Sequence, residues 1–134
     1  MTISYLWRGA FTNDEVNALH AQAFGTRVFS SEEWDWVALT ARHSLGWVVA
    51  REGGTLAGFV NVVGDGLVHA WLQDVMVDRA FARRGVGTQL VATARDGARE
   101  AGCAYLHVDF EPALADFYLG ACGFEPTTAG LLRL

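Results

Sequence analysis

The stretch from Val75 to Thr88 constrains the fold more than any other part of the chain. It reads Val75-Met76-Val77-Asp78-Arg79-Ala80-Phe81-Ala82-Arg83-Arg84-Gly85-Val86-Gly87-Thr88. An apolar run ends in a short basic loop, and two glycines then open a segment with helical period. Leu90, Val91, Ala94, Ala98 and Ala101 recur at that spacing, and Gly102 ends it. Tyr105 to Phe110 follows as a strand, so the unit is β-α-β and requires a parallel strand pair joined by a right-handed crossover. The first N–H groups of such a helix lack partners, and its dipole favours anions. Gly85 and Gly87 let an anion approach the backbone, while Arg83 and Arg84 add charge-assisted donors. This is the physical form of a pyrophosphate cradle, although a plain tight turn satisfies the same pattern. A P-loop needs a lysine, and every basic residue here is arginine. A dinucleotide fingerprint needs a third Gly or Ala where Leu90 stands.

Upstream, Ile3 to Trp7 predicts a strand. Thr12-Asn13-Asp14-Glu15 has the capping-box form, predicting a helix through Val16, Leu19 and Ala23 to Gly25. Ser30-Ser31-Glu32-Glu33 is a second box, predicting a helix from about Glu32 to His43. Gly46–Ala50 and Leu56–Val63 form a hairpin through Gly53-Gly54, and Leu67–Val77 continues the meander after Gly64-Asp65-Gly66. Pro112 suits the first turn of a helix carrying Leu114, Phe117, Tyr118 and Ala121, closed by Gly123. A last strand is predicted near Leu131–Leu134. The order is β-α-α-β-β-β-α-β-α-β, an α/β (α+β mixed) chain with helices on both sheet faces and one domain over residues 1–134.

Composition narrows the class of function. The formal net charge of −5 disfavours nucleic acid and anionic membranes and suits a cationic partner such as an amine. No window nears a membrane span, and the N-terminal residues lack a basic and an apolar export region. Cys103 and Cys122 fit neither a disulfide framework nor metal-ligand spacing, so no metal is expected and the thiols point to a cytoplasmic setting.

Two spaced motifs then carry a resemblance. Ala82-Arg83-Arg84-Gly85-Val86-Gly87 resembles the acetyl-CoA signature Gln/Arg-x-x-Gly-x-Gly/Ala of the GNAT acetyltransferases, preceded by Val77. Ala115-Asp116-Phe117-Tyr118 through Gly123-Phe124 resembles that family's second motif, Ala-x-x-Phe-Tyr-x-x-x-x-Gly-Phe, with Ala115 two rather than three positions before Phe117. The element order from Ile3 to Leu134 is also similar. The resemblance implies a central mixed, mostly antiparallel sheet of 6–7 strands flanked by four helices, with acetyl-CoA as cosubstrate. It implicates the backbones of Val75, Met76 and Val77 in holding the pantetheine arm and thioester oxygen. The loop from Ala82 to Thr88 (Ala82, Arg83, Arg84, Gly85, Val86, Gly87, Thr88) would take the diphosphate. Ala82 departs from the signature's Gln or Arg, a modest loss where backbone amides carry most of the binding.

Acyl transfer to an amine needs a deprotonated nucleophile, stabilisation of the oxyanion and a proton for the departing thiolate. Tyr118 matches the family tyrosine that supplies that proton; without the motif it reads as a helix core residue. Gln73 stands where several small-amine acetyltransferases carry Glu; it is expected at the acceptor site but cannot take the proton, which leaves Asp74 as the nearest carboxylate. His69, His107, Asp109 and Glu111 lie on adjoining strands or their ends, and no base is assigned among them. Trp34 and Trp36 are two apart and cannot share a helix face. One packs on the sheet, and the other, with Phe29 and Trp71, suits an aromatic pocket for a hydrophobic or cationic acceptor. The expected activity is N-acetylation of a small-molecule amine; a protein or peptide acetyltransferase and a catalytically silent CoA-binding module are the alternatives. A homodimer is compatible with so small and apolar a chain.

Overall fold

The computed structural model describes residues 2–134. Strands β1 (Ser4–Trp7), β2 (Ser44–Glu52), β3 (Thr55–Gly64), β4 (His69–Val77) and β5 (Tyr105–Val108) form one sheet in the order β1-β2-β3-β4-β5. The first three pairings are antiparallel, and β4–β5 is parallel, as the crossover requires. Helices α1 (Asn13–Phe24) and α2 (Trp36–His43) cover one face. On the other lie α3 (Val86–Glu100) and a short π-helical segment, Asp116–Ala121. Alternation in β2 and β3 sends Val48, Val60 and Val62 beneath α3, and Val49 and Phe59 beneath α1 and α2. The sheet is therefore buried on both faces.

Two expectations need correction. The sheet has five strands rather than 6–7: among the described residues Leu131–Leu134 join no strand ladder and are exposed. The second helix begins at Trp36, not near Glu32. The Ser30–Glu33 box does close, with Glu33 N–H donating to Ser30 Oγ at 3.3 Å and Ser30 N–H to Glu33 Oε1 at 3.0 Å. It caps only one turn, braced by the Arg27–Glu33 ion pair. Asp35 starts the true helix by accepting from Ala38 N–H, and Asn13 of α1 accepts from Val37 N–H. Between the two helices, fully buried Asn17 accepts from the Trp36 indole at 2.8 Å and donates to the Trp34 carbonyl. That satisfied buried amide fixes Trp36 against Phe59 and leaves Trp34 at the surface.

Glycine is required where Trp7 lies flat between β2 and α3. A Cβ on Gly46 would stand 2.0 Å from the Trp7 ring, and one on Gly97 would stand 2.5 Å from it. In an ordinary helix interior Gly→Ala is stabilising. Here Gly97→Ala should lower the thermal midpoint by about 4 °C or more, since overpacking costs ~1–3 kcal/mol. A midpoint unchanged or raised would contradict this packing.

Glu15, which closes the α1 capping box with Thr12, also pairs with Arg51 of β2 at 2.7 Å. Hydrogen bonding from Arg51 holds its carboxyl down to about 2, against a smaller opposing effect of burial. A carboxyl depressed by folding contributes stability above its ordinary value and loses it as pH falls through the folded value. This contribution is therefore present above pH 4.5 and fades towards about pH 2. Chemical denaturation of Glu15→Gln should show a flatter pH dependence across that window; parallel curves for the two proteins would exclude the pair as a stabiliser.

Candidate active site

The site begins with a break in β4. Gln73 pairs with Asn61 and Met76 with Phe59, so Asp74 and Val75 stand opposite the single residue Val60. This is a β-bulge, and Asp74 within it takes the left-handed conformation (φ 58). The parallel pairing of β4 with β5 ends just before it, at Leu72 and Val108. Past that point β4 bonds only to β3, and the two strands form a fork. Asp78 N–H donates to the Ala57 carbonyl and the Met76 carbonyl lies against Gly58, so Met76 faces β3. By alternation the N–H and C=O groups of Val77, and of Val75 beside the bulge, face the gap. Of the Val75–Val77 run, Met76 is thus the residue turned away.

Beyond β4, Asp78 accepts from Ala80 N–H at 2.8 Å and caps the turn Arg79–Phe81. Gln22 of α1 fastens this loop, donating to Asp78 Oδ2 at 3.2 Å and accepting from Arg79 N–H at 3.0 Å. Gly85 then caps α3 in the left-handed conformation (φ 73) with no side-chain hydrogen bond to the helix start. The first amides of a 15-residue helix are left for another acceptor. A cleft of about 630 Å³ runs along them, lined by Val75, Val77, Arg79, Ala82, Arg83, Gly85, Val86, Gly87 and Thr88, and by Phe117 and Tyr118. Unpartnered amides, a fork of free strand groups and two arginines fit an anionic diphosphate with a long polar amide arm.

Two loop residues make contacts outside the cleft. The Arg84 side chain turns out of the cleft, pairing with Glu52 at 2.6 Å and lying over Phe81. A Cβ on Gly87 would meet the Phe117 ring at 3.1 Å, so this glycine serves the contact of α3 with the π-helical segment.

That segment carries Tyr118. Cys122 N–H reaches back to the Phe117 carbonyl at 2.9 Å, an i→i+5 bond of the kind common at functional sites. The Tyr118 ring stacks on Phe110 and meets Phe117 and Phe124 edge-on. It is 6% exposed, and its hydroxyl makes no hydrogen bond among the described residues. Burial, with a smaller contribution from Cys122, pushes its phenol up, so it stays protonated at neutral pH.

A second cavity of about 500 Å³ adjoins the first and shares Phe24, Val75, Leu114 and Tyr118 with it. Asp74, Asp109, Phe110 and Glu111 complete its wall with Ala129–Leu131 of the C-terminal tail. Burial raises the Asp74 carboxyl above the usual range, partly offset by His20. The structure thus brings Asp74, Val75 and Tyr118 together. It places the expected acceptor residues elsewhere. Trp71 stacks on His107 at the β4–β5 surface, and Gln73 is exposed opposite Asn61. Phe29 stacks on Trp34 at 5.2 Å beyond the end of α1, outside both cavities. Phe24, Phe110, Leu114, Gln22 and Arg79 were not legible as lining residues; only the bulge and the fork bring them together. Among the described residues no helix is long and apolar enough to cross a membrane.

If the cleft takes the diphosphate, Arg83→Ala should weaken acetyl-CoA binding about threefold or more, as an exposed charge contact does. Arg84→Ala should weaken it less. Calorimetric titration giving the reverse order would contradict the placement of these side chains.

The chain matches the model of the acetyltransferase (GNAT) family over residues 11–124. No curated protein sequence matches it. Among solved structures it is similar to a GNAT family acetyltransferase of Streptococcus pneumoniae, with 24% identity over 99% of this chain and 98% of the other, TM-score 0.77. It is also similar to AAC(6')-Iy in complex with a bisubstrate analogue, CoA-S-monomethyl-acetylneamine, with 20% identity over 100% and 98% of the two chains, TM-score 0.78. A third likeness is to glucosamine-6-phosphate N-acetyltransferase from Arabidopsis thaliana, with 21% identity over 98% of each chain, TM-score 0.74. With the family model spanning both the forked strand and the tyrosine segment, the chain belongs to the GNAT family and is an acetyl-CoA-dependent acyltransferase.

Proposed function

We propose that this chain moves the acetyl group of acetyl-CoA directly to the primary amine of a small molecule, in a ternary complex and in the cytoplasm. One observation carries the reading: the two cavities meet at Tyr118 and the Val75 edge. A donor in the first and an acceptor in the second would face each other across one phenol. The acceptor nitrogen forms a bond to the acetyl carbonyl carbon as the carbon–sulfur bond breaks. The nitrogen gives a proton to the Asp74 carboxylate, and the sulfur takes one from the Tyr118 hydroxyl. Water then returns the proton balance between the two side chains. The free N–H groups of Val75 and Val77 stabilise the charge that grows on the carbonyl oxygen. Desolvation makes Asp74 a stronger base than an exposed carboxylate, and the nitrogen becomes more acidic as the new bond forms. A protonated phenol with no protein partner suits an acid role and has no use in a pure binding module.

Tyr118→Phe should keep acetyl-CoA affinity within about twofold and lower kcat at least tenfold, roughly 1.4 kcal/mol of barrier. Release of free thiol at an unchanged rate would remove Tyr118 from the chemistry. The base needs Asp74 ionised, so turnover should rise with pH through a value above the ordinary 3.8 of an aspartate. Asp74→Asn should lose that acidic limb along with most of the rate. A mutant profile that keeps the limb would assign it to another group.

A further inference from the structure

The acceptor cavity has a charge pattern that a plain monoamine does not use. Asp74 stands two residues past the last β4–β5 pair and Asp109 one residue past it, on the two arms of the fork. Glu111 follows Asp109, and all three carboxylates line the same cavity of about 500 Å³. Among the described residues none of the three forms an ion pair, and no basic side chain lines the cavity. Phe24 and Phe110 supply aromatic surface between the acidic groups, and Tyr118, 6% exposed with its hydroxyl unpartnered, closes the end nearest the donor cleft. Asp74 is used by the transfer proposed above, whereas Asp109 and Glu111 are not.

From this arrangement we infer that the acceptor is an oligoamine, a molecule with at least two ammonium-forming nitrogens. One nitrogen sits at Asp74 and Tyr118, and a second, still protonated, is held by Asp109 and Glu111. The inference rests on the acetyl-transfer reading for the first nitrogen. The second nitrogen answers the unpaired charge. A cation among carboxylates and aromatic faces gains both Coulomb and cation–π attraction. The carbon chain between the nitrogens lies on the Phe24 and Phe110 rings.

Calorimetric titration of the CoA-bound protein with butylamine and with 1,4-diaminobutane tests this directly. The diamine should bind at least tenfold more tightly. That ratio should fall to near one in Asp109→Asn/Glu111→Gln, which alters two exposed side chains and leaves the Glu111 carbonyl free to accept from Leu114 N–H as before. It should also shrink as salt rises from about 0.05 to about 0.5 M. Equal affinities, no binding of either amine, or a preference that survives the double substitution would overturn the inference. Thiol release from acetyl-CoA separates the two levels of the account. Turnover of both amines with equal efficiency would leave acetyl transfer standing and remove the second-nitrogen site. Tight, acid-dependent diamine binding without thiol release would keep the site and overturn the transfer.

Discussion

Everything at the candidate site depends on the failure of β4 and β5 to stay paired. Two parallel strands that continued side by side would consume their backbone groups in the ladder and leave no room for a ligand. The bulge at Asp74 and Val75 prevents this. One extra residue on β4, with Asp74 in the left-handed region, redirects the strand after only four paired positions. The opening gives the fork two sides. On one side lie free strand amides and the uncapped start of α3. On the other lies the cavity between the fork arms and the C-terminal tail. The residue that makes the bulge is also the half-buried carboxylate proposed as base, so the backbone that opens the site would place its own proton acceptor.

The surroundings hold this fork at fixed geometry. Gln22 ties α1 to the loop after β4, and Glu15 with Arg51 ties the start of the same helix to β2. The buried Asn17 joins α1 to α2 through the Trp36 indole and the Trp34 carbonyl. On the opposite face, Trp7 between Gly46 and Gly97 sets how closely α3 approaches the sheet. Gly87 and Phe117 set how closely α3 meets the segment carrying Tyr118. The site is thus built between two helical layers whose distances from the sheet are fixed by specific polar and glycine contacts.

Much of this was legible in the sequence because it is local. The capping box at Thr12, the strand-loop-helix at Val75–Thr88 and the Gly102 stop are written in neighbouring residues. The family motifs add Tyr118. What was not legible depends on register or on distant partners. Nothing near Gln73 announces that Asp74 and Val75 share one opposite residue, so Gln73 was expected at the acceptor site although its side chain is exposed elsewhere. Arg84 has the right charge in the right loop, but Glu52 lies 32 positions earlier and claims it. The Ser30 box is correct chemistry for a helix start and closes only a turn, because the packing of Trp36 sets the start of α2. Leu131–Leu134 have strand-like composition and join no strand ladder among the described residues.

The most direct test of the fork as the donor site is amide hydrogen exchange with and without acetyl-CoA. The account predicts slowed exchange at Val75 and Val77 and at Val86–Thr88, with the β1–β2 ladder unaffected. Binding that leaves those amides exchanging as before, or protects a different edge of the sheet, would contradict it.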